Sequence, residues 1–587
     1  MSARSWVVMK FGGTSVAEPA NWDVIARLAR EREAAGERAL IVHSALSGVS
    51  NLLEALPEAA LEGQGEEAVE AIKRRHLEFA ATAKLDGEAL LAEPFSRLDQ
   101  LAAGVGLVGE ASARVRAELL SLGEVMAGAL GAARLEALGL SPKRVDSRTA
   151  MTAAFEGEDA RAYLDNAADA SADAALQDEL AGADLAIAQG FIASNARGET
   201  VLFGRGGSDT SAAYYAAKLE AKRLEIWTDV PGLFSADPRL TSGARLLRAL
   251  SYEEAQEIAT MGGKVLHPRC IGPARRAGVP IAVRDTFRPD LEGTRIGPEP
   301  GDDAPQLKAV SVKSGVRVVV MEGSGMWRQA GFLADVFAVF KACGVSVDQV
   351  STSETNVTVS LDPDPGLDEA RLDRLRAELA PFCRVKIIED CAAVSLVGYG
   401  VRRILHKLAP ALEAFQDKPI RLVSQAANDL NLTVVVDADE GRPLAARLHE
   451  ALIGPAPEGP VFGPSWAEVT GARQVAEGRP APWWMAAREA LLESAPEEGG
   501  LYVYHRPTVS ARARAVAGLT SVDRAWYATK ANGERELLRA VREAGLGFEC
   551  VSLGEIANAR QACPDVAPHE ILFTPNFAAR AEYAAAL

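Results

Sequence analysis

Cysteine is scarce and unpatterned in this chain. Six thiols (Cys270, Cys343, Cys383, Cys391, Cys550 and Cys563) are scattered over 587 residues without C-x-x-C spacing. That speaks against a disulfide framework or a zinc site and leaves buried free thiols as the expectation. A basic-then-apolar leader is missing, as is any apolar run approaching membrane-spanning length, so a cytoplasmic location without membrane contact is expected. Positive charge is in deficit. A formal net charge of −17 disfavours non-specific binding to nucleic acid or membrane. An anionic substrate must therefore be drawn in by local cations.

At 587 residues the chain is too long for one core, and ordinary domain sizes predict three or four domains. A short apolar run, Trp6-Val7-Val8-Met9, opens into KFGGTSV at 10–16. This is neither the P-loop G-x-x-x-x-G-K-[ST] nor the dinucleotide turn G-x-G-x-x-G. It is nonetheless suited to phosphate: Gly12 and Gly13 let backbone N–H groups approach an anion, with Thr14 beside them, and Lys10 adds a fixed charge. A second glycine loop, GRGGSD at 204–209, precedes a segment of strong helix propensity to Ala221, with Ser208 expected as its N-cap. Gly206 and Gly207 thus feed a helix N-terminus, which favours phosphate. Two such loops, one with Lys10 and one with Arg205 and Asp209, suit a phosphoryl donor gripped from both sides.

KFGGTSV, HSALSGVSNLL (43–53), SLGE (121–124), GRGGSD, WTDVPGLFSADPR (227–239) and GGKVLHP (262–268) occur in the order found in aspartate kinases. Over roughly residues 5–300 the chain resembles that family. The alternation of strands (Ala39–Val42, Leu185–Ala188, Leu224–Trp227, Pro280–Val283) with helices around 66–82, 109–138 and 208–221 agrees with an α/β sheet covered on both faces. The resemblance implies an amino-acid-kinase-type αβα sandwich over 1–300 that transfers phosphate from ATP, with Mg²⁺, to the β-carboxylate of L-aspartate. An acceptor already ionised at neutral pH needs no general base, only charge dispersal in a loose transition state. The resemblance assigns Lys10 and Asp209 to catalysis, and Ser44, Ser50, Glu124 and Arg205 to aspartate. It assigns Gly12, Gly13, Thr14, Gly206, Gly207, Thr228, Asp229, Phe234, Arg239 and Lys264 to ATP. Ser50 stands where threonine is usual, Phe234 where tyrosine is frequent, and His43 where an aliphatic residue is common.

From about 308 to 453 the chain repeats a βαββα pattern with an offset of about 75 residues. This resembles the tandem ACT modules of aspartate kinases, one at 308–390 and one at 391–455, which also implies a homo-oligomer. Met326, Gly331, Phe332, Leu333, Asp348, Ser353 and Glu354 match the segments that bind lysine in lysine-inhibited members. Lysine is the expected effector, with threonine, alone or with lysine, as the alternative. Proline and glycine density marks 456–498 as a linker.

Residues 499–587, with YATKAN at 527–532 and SLGE at 552–555, resemble the start of diaminopimelate decarboxylases, PLP enzymes on a (β/α)₈ barrel. Lys530 is the lysine that carries PLP in that family. A barrel needs eight βα units and about 250 residues. The resemblance therefore implies an incomplete decarboxylase part, from a longer bifunctional enzyme or a truncated product. The expected activity is feedback-regulated aspartate kinase at the head of lysine, threonine and methionine biosynthesis. The alternative is an amino-acid-sensing ACT protein with an inactive kinase domain.

Overall fold

A computed structural model describes residues 4–587 except 158, 264, 299–304, 324–330, 365, 409–418, 426–427, 455–457, 471–489, 492–493, 495–501, 520 and 577. It divides into two compact units, Met1–Arg473 and Gln474–Leu587.

The first unit is built on an eight-stranded sheet. Its order is Lys143–Val145, Leu185–Gln189, Arg38–His43, Trp6–Phe11, Arg223–Thr228, Ile281–Asp285, Thr294–Gly297 and Ala249–Ser251. The first six run parallel, and Thr294–Gly297 is antiparallel to its neighbour Ile281–Asp285. The period of two sorts the side chains of Trp6–Phe11 between two cores. Val8 joins Leu40, Val42 and the helix Gly207–Lys218 on one face, whereas Val7, Met9 and Phe11 join Ile41 and Trp22 on the other. Four helices, Val49–Leu61, Gly65–Ala83, Gly87–Val108 and Ala113–Ala137, form an alanine-rich lobe. Gly131 lets the last of these lie against Trp22 of the helix Pro19–Ala34, because a Cβ there would overlap the indole.

His43, unusual for the family, is wholly buried at the end of its strand. A Cβ on Gly128 would stand 2.8 Å from its Nε2, so the glycine makes the room. Burial lowers the imidazole pKa to about 4 and keeps the ring neutral.

The regulatory part is one six-stranded antiparallel sheet, ordered Val350–Thr352, Asn356–Leu361, Gln306–Glu322, Arg384–Tyr399, Asn431–Asp437 and Leu422–Gln425. The approximate boundaries 308–390 and 391–455 therefore divide a single sheet whose strands are exchanged between the two modules. Two long strands each serve both modules. The first half of Gln306–Glu322 pairs with Ala392 to Tyr399 under the helix Ala438–Leu452, and the part from Arg317 pairs with Asn356–Leu361. The register shifts between Ser314 and Val316, around Gly315 at φ +78, and this lets one strand pass from one module to the other. The helix expected after the second module's first strand is a 3₁₀ stretch, Val401–Leu408, and the residues following it lie outside those described.

The six-stranded sheet and its helix Ala438–Leu452 are fixed to the rest of the first unit by buried polar contacts. Lys308 and Glu254, each 1% exposed, pair at 2.7 Å, and Ser235 Oγ lies 2.7 Å from His449 Nε2. Within the expected linker 456–498, residues Phe462–Ser465 form a strand on Arg245–Leu247, followed by the short helix Trp466–Val469. The partner of this strand is some 200 residues earlier in the chain, which proline and glycine density does not reveal.

In the second unit Trp526–Ala528, Gly547–Cys550 and Ile571–Phe573 are parallel and adjacent, with helices Arg535–Glu543 and Leu553–Ala562 between them in sequence. Leu538, Val541, Phe548 and Ala559 form the core. This is the βα start that the sequence implied.

Candidate active site

The parallel strands of the first unit all end on one edge of the sheet, and the two glycine loops meet there. Ligand sites in open α/β sheets form at this carboxyl edge. Lys10, one residue from the end of Trp6–Phe11, reaches Asp209 with its Nζ 2.5 Å from Oδ1, both side chains 11% exposed. Asp209 lies in the first turn of Gly207–Lys218. The N-cap is Gly206 at φ +70, not Ser208 as expected from the sequence. Only glycine fits there, because a Cβ at Gly206 would overlap the ring of His267. The backbone N–H of His267 in turn donates to Asp209 Oδ2 at 3.3 Å. Nothing in the local motif around His267 signals this contact.

Gly12 and Gly13 are half-buried and Thr14 is exposed immediately after the strand, with a Cβ on Gly12 3.5 Å from Lys10 Nζ. Ser44 is half-buried at the end of Arg38–His43, and Ser50 is exposed in the first turn of Val49–Leu61. Glu124 is 4% exposed and accepts one hydrogen bond, from Ala45 N at 3.2 Å. Burial raises its pKa to about 8. Arg205 is exposed and has no ion-pair partner among the described residues. Its loop is braced from behind, where Arg269 donates to the Phe203 carbonyl at 3.1 Å and pairs with Asp165.

On the remaining side, Thr228 is half-buried and Asp229 exposed at the end of Arg223–Thr228, their side chains 3.2 Å apart. Arg239 pairs with Asp237 at 2.8 Å. Phe234 differs from expectation. It is 8% exposed and its ring packs edge-on against Trp466 at 5.2 Å, with Ala236, Ala244 and Leu246 around it. The ring is occupied in packing. Lys264 lies outside the described residues.

In the regulatory sheet, Gly331 at φ +92 caps the helix Phe332–Ala342. Phe332 is buried in the module's core, and Leu333 is 43% exposed. Asp348 lies 3.9 Å from Lys313 Nζ, and burial raises its pKa. Ser353 and Glu354 are exposed beside the edge strand Val350–Thr352, and Met326 lies outside the described residues.

In the second unit Lys530 is 58% exposed just beyond its strand, 3.5 Å from the Glu549 carboxylate. Thr529 Oγ1 donates to Glu555 Oε2 at 2.6 Å.

Residues 5–285 match the amino acid kinase family, and residues 507–587 match the pyridoxal-binding domain of pyridoxal-dependent decarboxylases. Residues 5–285 thus carry an amino acid kinase fold. Lysine-sensitive aspartokinase 3 of Escherichia coli is 33% identical over 76% of this chain and 99% of its own length. Chloroplastic aspartokinase 3 of Arabidopsis thaliana is 31% identical over 76% of this chain and 81% of its own. Aspartokinase III of E. coli, crystallised with aspartate and ADP, superposes with a TM-score of 0.67 at 30% identity over 76% of this chain and 99% of its own. The chain belongs to the aspartokinase family. No helix among the described residues is long and apolar enough to cross a membrane.

Proposed function

We propose that the first unit transfers the γ-phosphoryl group of ATP to the β-carboxylate of L-aspartate and is inhibited by lysine through its ACT pair. The observation that carries the reading is the Lys10–Asp209 pair at 2.5 Å, which joins the two glycine loops. Lys10 disperses charge on the transferring phosphoryl group, and Asp209 holds the ammonium in place between the loops. The glycine-loop N–H groups and the N-terminus of Gly207–Lys218 take the phosphates. Arg205, exposed and without an ion-pair partner among the described residues, clamps an aspartate carboxylate with its fork. Glu124 receives the aspartate ammonium. Alone and buried it favours the protonated form, and an arriving cation supplies the missing charge. Ser44 and Ser50 add hydroxyls.

No three His, Cys, Asp or Glu side chains converge into a metal-holding group among the described residues. Mg²⁺ is expected to travel with the ATP phosphates.

The aspartokinase III of E. coli has also been crystallised with lysine and aspartate, at a TM-score of 0.61 to this chain and 30% identity. That supports lysine as effector, taken up at Gly331 to Leu333 through backbone N–H groups and at Asp348 and Glu354 through the ammonium. The exposed edge strand Val350–Thr352 supports assembly of a homo-oligomer through the ACT sheets.

In the second unit, Lys530 is the residue that would hold PLP, with Glu549 beside it. When bound, PLP supplies the electron sink for decarboxylation. The exposed amine at the carboxyl end of a parallel strand fits that use.

The test is a coupled ADP-release assay with aspartate and glutamate as acceptors, with and without lysine. Turnover with aspartate that lysine suppresses is expected. Equal turnover with glutamate, or none with either, overturns the reading.

A further inference from the structure

Residues 459–470 lie outside both matched family regions, yet they are joined closely to the strand Arg245–Leu247, with which they form a two-stranded sheet in the first unit. Phe462 and Ser465 pair with Leu247 and Arg245. Backbone bonds run from Arg248 N to Val461 O at 2.8 Å and from Trp466 N to Ala244 O at 2.7 Å. Side chains add to this: Arg245 Nε donates to Gly463 O at 2.8 Å and Arg248 Nη1 to Gly459 O at 2.9 Å. The opposite edge of Arg245–Leu247 holds the turn that follows Thr228-Asp229, with Leu247 N to Leu233 O at 2.9 Å and Ser235 N to Arg245 O at 2.8 Å. The strand is therefore gripped between the segment WTDVPGLFSADPR and the added residues. Trp466 completes the grip by packing on Phe234. Val461 and Phe462, each 3% exposed, anchor it in the main core.

We propose that residues 459–470 are a positioning clamp for the nucleotide side of the kinase site, and that Trp466 sets the place of Phe234 and the backbone around it. This rests on the reading that residues 228–239 face ATP. The physical case is that residues 229–243 contain no regular helix or strand, so their position depends on what holds their two ends. An extra strand with an aromatic anchor restricts that freedom before ATP arrives, which favours binding by preorganisation.

The experiment is steady-state kinetics on the full 587-residue chain carrying Trp466→Ala, Trp466→Phe or Ser465→Ala, with Asp229→Ala as control. Ser465→Ala removes the capping box that Ser465 forms with Glu468, and it decides the matter should Trp466→Ala fail to fold in a thermal melt. Trp466→Ala is expected to raise the KM for ATP roughly 3- to 10-fold, the scale of one lost aromatic pair. The KM for aspartate should stay within about twofold, because the clamp touches neither Arg205 nor Glu124. Trp466→Phe should restore most of the ATP affinity, and Ser465→Ala should shift it in the same direction by less. An unchanged KM for ATP in folded Trp466→Ala, while Asp229→Ala raises it, overturns the clamp alone. No effect of Asp229→Ala on ATP overturns the nucleotide reading beneath it. Equal rises in both KM values would make Trp466 a general structural residue and likewise overturn the clamp.

Discussion

Lys10 Nζ and Asp209 Oδ1 stand 2.5 Å apart, although 199 positions separate the residues in the chain. The ion pair fastens the glycine loop after the first strand to the helix after the second glycine loop. Lys10→Ala is expected to lower kcat by about 10³-fold or more with a modest change in the KM for ATP, since the charge acts in the transition state. Retention of more than about a tenth of wild-type turnover would remove Lys10 from the catalytic role.

Arg205→Lys tests the carboxylate clamp. An ammonium cannot make the two parallel bonds of a guanidinium, so the KM for aspartate should rise well beyond any change in kcat. A raised KM for ATP with an unchanged KM for aspartate would move Arg205 to the nucleotide side.

Glu124 gives a pH signature. Its pKa is raised to about 8 by burial, so in the free enzyme it is mostly protonated near neutrality and ionises as pH rises through that value. Binding of an ammonium favours the ionised form, so kcat/KM for aspartate should climb between about pH 7 and 9. Glu124→Gln should flatten that limb. For stability the sign is opposite. A carboxyl whose folded pKa is raised contributes stability at low pH that is lost as pH rises from the ordinary carboxylate range through about 8. Ligand-free Glu124→Gln should therefore lose less stability than wild type on going from pH 6 to pH 9 in thermal melts.

Glu354→Ala should relieve lysine inhibition and leave uninhibited turnover nearly unchanged, because the residue is exposed on the regulatory sheet. Allosteric couplings of about 1–3 kcal/mol correspond to a shift of roughly 5–150-fold in the inhibition constant. A wild-type enzyme indifferent to lysine but inhibited by threonine would reassign the effector.

Gly131→Val would drive a side chain into the Trp22 indole, where even a Cβ overlaps the ring. Overpacking of this kind costs about 1–3 kcal/mol, and the melting transition of the kinase part should move down accordingly. An unshifted transition would show that the two helices can separate freely.

The sequence by itself determined the strands and helices of the kinase part, the alanine-rich lobe and the two glycine loops. Each of these is encoded locally, by periodicity and by residues with special backbone freedom. It also revealed the repeated regulatory pattern, because a repeat is visible without knowing where its strands go. The tertiary structure alone decided which partners met. Nothing near His267 predicts that its N–H would serve Asp209 or that its ring would leave room only for a glycine at 206. Gly315 looks like any turn glycine until one strand is seen pairing in two modules. Phe234 reads as a ligand residue until Trp466 covers it. These are contacts between residues far apart in sequence. Their energies depend on shape and burial at the meeting point, which no local pattern of residue types encodes.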